Sequence, residues 1–346
     1  MFNLTSKSTN PKPMNKVLLS EAIHESGVRL LESKAEVIVC SEPSEEAITD
    51  LISDVDALII RTAGKVTREM IQKAGRLKVI SRTGGGLNNV DIKAATDHKI
   101  VVCGVKGPQD RMVAEHTVSL MGALAKQFFY LNAQVRRGNF ASRKEYRPAG
   151  LSGKRVGLIG LGRIGRLVAD ICARAFHMEV WAYDPYVTPE TLDTEDVVLK
   201  EDMAEVIRTA DFLSLHVPLT EKTRGLMGSA EFEMMKPGAF VINTSRGEVL
   251  QEAALVAALK SKKIAGAGLD VFEKEPPDAT NPLFEMQNVI ATPHSAALTK
   301  EVVAELARGS AENVINVLEG KPPSYSPNWD VVQAGVSPKA AGRHSA

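Results

Sequence analysis

Short runs rich in Val, Ile and Leu alternate with helical stretches along most of this chain, and that alternation restricts the fold more than any other feature. From Lys16 onward KVLLS, AEVIVC, DALIIR, LKVISRTG and KIVVCG are separated by segments such as SEEAITDLISDV and TREMIQKAG. Strand, helix, strand at this spacing predicts a parallel sheet covered by helices, because parallel neighbours need a crossover connection. Near Asp110 the pattern changes. RMVAEHTVSLMGALAKQFFYLNAQVRRG reads as one helix of more than twenty residues ending near Gly138, a domain connector. After ASRKEYRPAGLSG a second alternation begins, with KRVGLIG, EVWAYD, ADFLSLHV, GAFVINTS, IAGAGLDV and NVIATPH as its strands. Two successive α/β units are therefore expected, and 346 residues are enough to give each a core. The last helical stretch, LTKEVVAELARGSAENVINVLEG, carries apolar residues on one face, and nothing in it says which unit it packs on. The ends, residues 1–14 and 331–346, are polar or small and are expected to be frayed.

Composition excludes several function classes. Lysine and arginine (42) cancel aspartate and glutamate (42), so no bulk charge draws the chain to a phosphate backbone or an anionic bilayer, and neither nucleic acid nor membrane is expected as a partner. Apolar residues at 44% and charged residues at 24% are those of a soluble globular chain and not of a disordered one. Cys40, Cys103 and Cys172 are odd in number, far apart and set in apolar runs, which reads as core packing in a reducing compartment. No apolar run is long enough to span a membrane, and MFNLTSKSTNPKPMNK lacks the hydrophobic stretch of a signal peptide, so a cytoplasmic location is expected. No His/Cys/Asp/Glu cluster has metal-ligand spacing, so no metal is expected.

In KRVGLIGLGRIGRLVADICARAF, Gly160, Gly162 and Gly165 follow an apolar strand and open a helix, the context that G-x-G-x-x-G requires. Gly160 suits a tight turn, Gly162 lets a pyrophosphate approach the backbone, and Gly165 lets helix and strand pack closely; the helix N-terminus offers amides to the anion. Asp184 ends the next apolar strand, where a carboxylate accepts hydrogen bonds from an adenosine ribose and repels a 2′-phosphate. NAD is therefore preferred to NADP. Arg163 and Ile164 lie in the turn and are candidates to touch the pyrophosphate, although Arg163 reads equally as a solvated surface charge.

Three polar residues sit at the ends of later strands, where ligands bind in open α/β sheets: Arg246 in VINTSRGEV, Glu275 in LDVFEKEPP and His294 in VIATPHSAA. Reduction of a keto acid by a nicotinamide needs a fixed cation for the carboxylate and carbonyl, a proton donor for the developing alkoxide, and a group that favours the donor's charged form. Arg246 offers a bidentate fork, His294 is of the one side-chain type whose unperturbed pKa lies near neutrality, and a carboxylate such as Glu275 beside it is expected to favour an imidazolium. Each alone has a plain structural reading as an ion pair, a turn residue or a satisfied polar side chain. Jointly, behind a nucleotide fold, they define a candidate catalytic set.

The strings GLIGLGRIG, HVPLTEKTRGLMG, INTSRGEVL, IAGAGLDVFEKEP and NVIATPHSA are similar to those of the D-2-hydroxyacid dehydrogenase family, in the same order, across about residues 16–325. The resemblance implies that Arg246, Glu275 and His294 are a catalytic triad and that Asp184, Val217, Pro218, Thr244, Ser245, Asp270 and Ala296 line an NAD site. It also implies the fold: two Rossmann or flavodoxin-like doubly wound parallel-sheet domains with a cleft between them. Residues 1–108 with 299–330 would form the substrate domain, 109–298 the NAD-binding domain with its connector helix, and 331–346 a disordered tail. SRTGGGLNNVD resembles the family's substrate loop, with Gly85 and Gly86 at the positions whose amides grip a carboxylate. Asn88 departs from the aspartate usual there. IIRTAGKVT resembles 3-phosphoglycerate dehydrogenases, in which the arginine, here Arg61, helps hold the distal anionic group. The AEHTVSLM helix resembles a connector that packs on its counterpart, which implies a homodimer; Glu115 and His116 on it read as structural. The implied activity is NAD-dependent and 3-phosphoglycerate dehydrogenase-like, with glyoxylate or hydroxypyruvate reduction as the alternative, and an NAD-binding corepressor-like protein as the alternative of another class. The chain ends soon after the last family helix, so regulation through a C-terminal domain is not expected.

Overall fold

The structure is a computed structural model, and it describes residues 14–42, 44–61, 64–192 and 194–334. The chain divides into two compact units, one built from residues up to Pro108 and from Lys300 onward, the other from Gln109 to Thr299.

In unit 1 the strands are β1 (Asn15–Leu19), β2 (Ala35–Val39), β3 (Ala57–Ile60), β4 (Val79–Arg82) and β5 (Val101–Gly104). Its helices are α1 (Glu25–Glu32), α2 (Glu45–Leu51), α3 (Arg68–Lys73), α4 (Ile92–Asp97), and, from the far end of the chain, α11 (Lys300–Leu318) and α12 (Trp329–Ala334). The strands pair in parallel in the order β2-β1-β3-β4-β5, a flavodoxin-like doubly wound arrangement. Every residue of β3, β4 and β5 is buried, as expected of strands covered on both faces. Helix α11, which periodicity left unassigned and the resemblance gave to the first unit, packs on α1 and β4, and the Ser310 hydroxyl meets that of Ser81 at 2.8 Å inside the core. The fraying expected from residue 331 is corrected at its start, because Trp329–Ala334 is helical and Trp329 packs with Val332 against the core. Residues 1–13 and 335–346, the rest of the expected frayed ends, lie outside the described residues.

Unit 2 contains α5 (Asp110–Lys126), α6 (Phe128–Arg136), α7 (Arg163–Asp170), α8 (Met203–Thr209), α9 (Ser229–Met234) and α10 (Glu252–Lys260). Its strands are β6 (Arg155–Ile159), β7 (Glu179–Tyr183), β8 (Val197–Leu199), β9 (Phe212–Leu215), β10 (Ala239–Asn243), β11 (Ile264–Leu269) and β12 (Val289–Ala291), all parallel in the order β12-β11-β10-β9-β6-β7-β8. The edge strand β8 is three residues long and has no alternating pattern to announce it. The single long connector helix expected from the sequence is two helices: Gln127, with φ of 52°, is left-handed and ends α5 before α6 starts. A polar residue amid apolar ones gives no periodic signal of such a break. α5 packs on α7, β10 and β11, so it belongs to the body of unit 2.

The two sheets share one construction detail. The Asp56 carboxylate accepts the amide of Lys16 at 3.0 Å, and the Asp211 carboxylate accepts the amide of Arg155 at 2.9 Å. In each unit an aspartate just ahead of a strand that neighbours the first (β3 beside β1, β9 beside β6) thus anchors the start of that first strand, and each is answered by cations, Arg76 and Lys78 in one case and Lys236 in the other. Burial pushes both carboxyls up, but these hydrogen bonds and charges outweigh it and hold them below the usual carboxylate range. All three cysteines are free and buried, and desolvation pushes the thiols of Cys103 and Cys172 up to about 12.

Candidate active site

The glycine turn between β6 and α7 is shaped by close approach. Gly160 has φ of 98°, and a Cβ there would lie 2.5 Å from the carbonyl oxygen of His216. Only glycine fits that position. A Cβ on Gly165 would lie 2.4 Å from the Gly160 carbonyl oxygen, whereas Gly162 faces open space. Helix α7 starts at Arg163 with no side-chain cap, so the amides of its first turn remain for an external acceptor. Asp184 follows β7 and braces the turn: its carboxylate accepts the amides of Leu161 (2.8 Å) and Tyr186 (2.9 Å). Two lone-pair sites per carboxylate oxygen leave it further capacity as an acceptor. The cradle, helix amides and carboxylate together fit a dinucleotide. Arg163 and Ile164 open the helix and are not within the turn, and the Arg163 guanidinium lies 2.8 Å from Asp110, at the start of α5.

Beneath this turn is a residue the sequence reading passed over. His216 follows β9, and its ring nitrogen Nε2 meets the Ser214 hydroxyl at 2.9 Å. Burial pushes its pKa down to about 4, so it is a neutral packing group supporting Gly160. Val217 lies beside the same glycine, and the Pro218 carbonyl accepts the Thr223 hydroxyl at 2.6 Å.

Of the residues singled out in the second alternation, Arg246, Glu275 and His294 come together. His294 Nδ1 is 2.7 Å from the Glu275 carboxylate, with both side chains about one-third exposed. Burial pushes the Glu275 carboxyl up, but the His294 hydrogen bond and charge, the Phe272 amide at 3.1 Å and the nearby Arg246 charge prevail and hold it below the usual range. Desolvation lowers the Arg246 pKa while Glu275 and Glu248 act to raise it; a guanidinium so placed stays charged. Its Nη1 donates to the Ser245 carbonyl at 2.5 Å.

The turn carrying Arg246 is built by Asn243, which is almost fully buried. Its Nδ2 donates to the Arg246 carbonyl (2.9 Å), and its Oδ1 accepts the Ser245 amide (3.0 Å) and hydroxyl (2.8 Å). The next residue, Gly247, would place a Cβ 1.9 Å from the Phe272 carbonyl, so a glycine there lets the Arg246 turn approach the segment that leads to Glu275.

His294 sits at φ of 51° on a loop pinned by Asp270, whose carboxylate accepts the Thr292 hydroxyl (2.6 Å) and the amides of Ser295 and Ala296 (both 2.9 Å). From α5, His116 Nε2 approaches Thr292 Oγ1 at 3.1 Å, and Thr117 meets the Thr244 hydroxyl at 2.8 Å. Asn243, Gly247, His216, Thr117 and Thr292 all lie in strings quoted for the resemblance, but nothing in their residue types announced these roles, since each acts on another residue's loop.

In unit 1, Arg61 follows β3 and its Nη1 lies 3.2 Å from Glu21. Gly85 and Gly86 follow β4 and are half-exposed. Asn89 joins the two loops, its Nδ2 donating to the carbonyls of Arg61 (3.0 Å) and Gly64 (2.6 Å). Among the described residues no group of three or more His, Cys, Asp or Glu could hold a metal, and no helix is long and apolar enough to cross a membrane.

Residues 118–296 match the family described as D-isomer specific 2-hydroxyacid dehydrogenase, NAD binding domain. The D-3-phosphoglycerate dehydrogenase of Methanocaldococcus jannaschii is 42% identical over 89% of this chain and 58% of its own length, so the chain spans little more than half of that relative. The glyoxylate reductase of Thermococcus litoralis is 35% identical over 92% of this chain and 98% of its own length. Among solved structures, D-lactate dehydrogenase with NAD+ from Lactobacillus jensenii superposes with a TM-score of 0.72 at 29% identity, covering 90% of this chain and 99% of the other. The two parallel sheets, the glycine cradle of unit 2 and these matches agree: the chain belongs to the D-isomer specific 2-hydroxyacid dehydrogenase family.

Proposed function

We propose that this protein is an NAD-dependent oxidoreductase that interconverts a D-2-hydroxy acid and its 2-keto acid, with 3-phosphoglycerate dehydrogenase-like specificity. The observation that carries this reading is the His294–Glu275 pair at 2.7 Å beside the Arg246 charge, in the same unit as the glycine cradle. Gly160, Gly162, Ile164 and Gly165 hold the pyrophosphate of NAD, with Arg163 at the helix start. Asp184 accepts from the adenosine ribose and disfavours a 2′-phosphate. Val217, Pro218, Thr244, Ser245, Asp270 and Ala296 border the rest of the cofactor. The bound nicotinamide supplies or accepts the hydride.

The chain's own groups do the remaining work. Arg246 fixes the substrate carboxylate and polarises the carbonyl. His294 Nδ1 is engaged by Glu275, which leaves Nε2 to give a proton to the substrate oxygen in reduction and to take it back in oxidation. Glu275, held as an anion at neutral pH, bonds His294 Nδ1 and fixes the orientation of the ring. Gly85, Gly86 and Arg61 bind the anionic groups of the substrate.

A second reading, reduction of glyoxylate or hydroxypyruvate, is favoured by the near-complete span of the glyoxylate reductase match. The test follows NADH absorbance with phosphohydroxypyruvate, hydroxypyruvate and glyoxylate. The highest kcat/KM is expected with phosphohydroxypyruvate; a higher value with glyoxylate selects the second reading. Tight NADH binding without oxidation by any keto acid would replace the enzyme with an NAD-dependent assembly protein.

A cytoplasmic homodimer is part of the same proposal. Phe128, Phe129, Val135 and Phe140 on and after α6 are all more than half exposed, an apolar surface that a second copy would cover.

A further inference from the structure

One edge of the unit 1 sheet is β5, and the chain returns to it after α11. Along that edge the outward-facing backbone groups recur at every second residue. Asn328, almost fully buried, serves two of these positions with its side-chain amide. Oδ1 accepts the Val102 amide at 2.9 Å, and Nδ2 donates to the Ile100 carbonyl and the Thr96 hydroxyl, each at 2.9 Å. The next position is Gly104, whose amide donates to the Tyr325 carbonyl at 3.1 Å. The Gly104 carbonyl accepts Asn313 Nδ2 from α11 at 3.0 Å, and Asn313 Oδ1 in turn accepts the Ser324 amide (2.8 Å) and hydroxyl (3.0 Å). Lys106 lies 3.3 Å over the Tyr325 ring. Residues 324–328 thus act as a surrogate edge strand, locked at both ends by buried asparagines.

The other side of the same peptide faces the glycine loop. The Val105 amide donates to the Gly84 carbonyl at 3.0 Å, and a Cβ on Gly104 would come within 2.6 Å of that oxygen. One peptide, Gly104–Val105, therefore separates the returning segment from the start of the Gly84–Gly86 loop. Covering an exposed edge requires hydrogen bonds to β5; here two of them, from Asn313 and to the Tyr325 carbonyl, fall on Gly104, which also abuts the glycine loop.

We propose that the returning segment 324–328, through Asn328 and Asn313, is a strap that positions the Gly84–Gly86 loop for substrate. Asn328 and Asn313 are positioning residues: Asn313 acts through the Gly104–Val105 peptide, and Asn328 acts by holding the segment and β5 in register. The inference rests on the reading that Gly85 and Gly86 receive the substrate carboxylate. A loop carrying an anion-binding amide pair is sensitive to small displacement, and loosening the strap raises the KM for the keto acid without altering the nicotinamide site in the other unit.

The test compares full-length wild type with Asn328→Ala and the milder Ser324→Ala, which removes only the hydroxyl bond to Asn313. Hydrogen exchange of residues 83–90 is read by mass spectrometry alongside keto-acid kinetics and NADH affinity. With the strap loosened, exchange in 83–90 is expected to quicken about tenfold and KM to rise several-fold, with kcat and NADH Kd within about twofold. Should Asn328→Ala fail to fold, Ser324→Ala carries the comparison with a smaller shift in the same direction. Unchanged exchange in 83–90 while 321–330 opens would overturn the proposal, as would faster exchange in 83–90 with an unchanged KM. Failure of the underlying reading shows separately, as an unchanged KM in Gly85→Ala, whereas coupled exchange between the two segments does not depend on it.

Discussion

At the residue scale, the proposed chemistry depends on three side chains held by others. Replacing His294 with alanine is expected to lower kcat by about 10²–10⁴-fold, the usual contribution of a general acid–base group, with NADH Kd changed less than about threefold. Steady-state rates and NADH fluorescence titration check this. Glu275→Gln keeps the size of the side chain but removes the charge, so kcat is expected to fall with NADH affinity intact. The Glu275 carboxyl is held below its usual value, and the sign of its linkage follows. Its stabilisation is fully present above the unfolded carboxylate pKa and is lost as pH falls through the lower folded value. Acid unfolding curves of wild type and Glu275→Gln are therefore expected to differ near neutrality and to converge at low pH. Arg246, Glu275 and His294 were open to selection because charged or titratable side chains that follow apolar runs stand out in the sequence. Asn243 and Asp270 were less so: an asparagine ending a strand carries no sign that it folds the next turn, and Asp270 stood out only by resemblance while its carboxylate binds the loop behind it.

At the scale of elements, close backbone approach decides which segments meet. Gly247→Ala would force a Cβ into the Phe272 carbonyl, and Gly160→Ala would do so against His216 at a positive φ. Both variants are expected to lose NADH affinity or folded yield, measured by fluorescence titration and soluble expression. The aspartate anchors of the two sheets are a second element-scale feature. Asp56→Asn leaves the Lys16 amide a weaker acceptor and removes the partner of Arg76 and Lys78, so a loss of about 1–3 kcal/mol is expected in urea unfolding at neutral pH. That difference shrinks as acid protonates the wild-type carboxyl. Strands with β-branched runs were readable from the sequence, whereas the three-residue β8 and the left-handed Gln127 were not, since neither leaves a periodic trace.

At the scale of the whole molecule, the alternation of strands and helices made both sheets legible, but strand order and the return of α11 to unit 1 depend on long-range packing that no local pattern encodes. In the proposed homodimer the exposed phenylalanines of α6 are covered by the second copy: sedimentation velocity is expected to give a dimer for wild type and a monomer for Phe129→Glu, and the same state for both would contradict an interface at this surface. The central claim, that this chain brings an imidazole, a carboxylate and a guanidinium to bear on a keto acid in the presence of NADH, is tested most directly by single-turnover mixing. NADH-saturated wild type and His294→Gln are each mixed with phosphohydroxypyruvate or glyoxylate, and the first turnover of NADH is timed. The expected result is a fast burst in wild type and a turnover slowed about 10²-fold or more in the variant at full NADH occupancy. Equal rates in the two proteins would contradict the account.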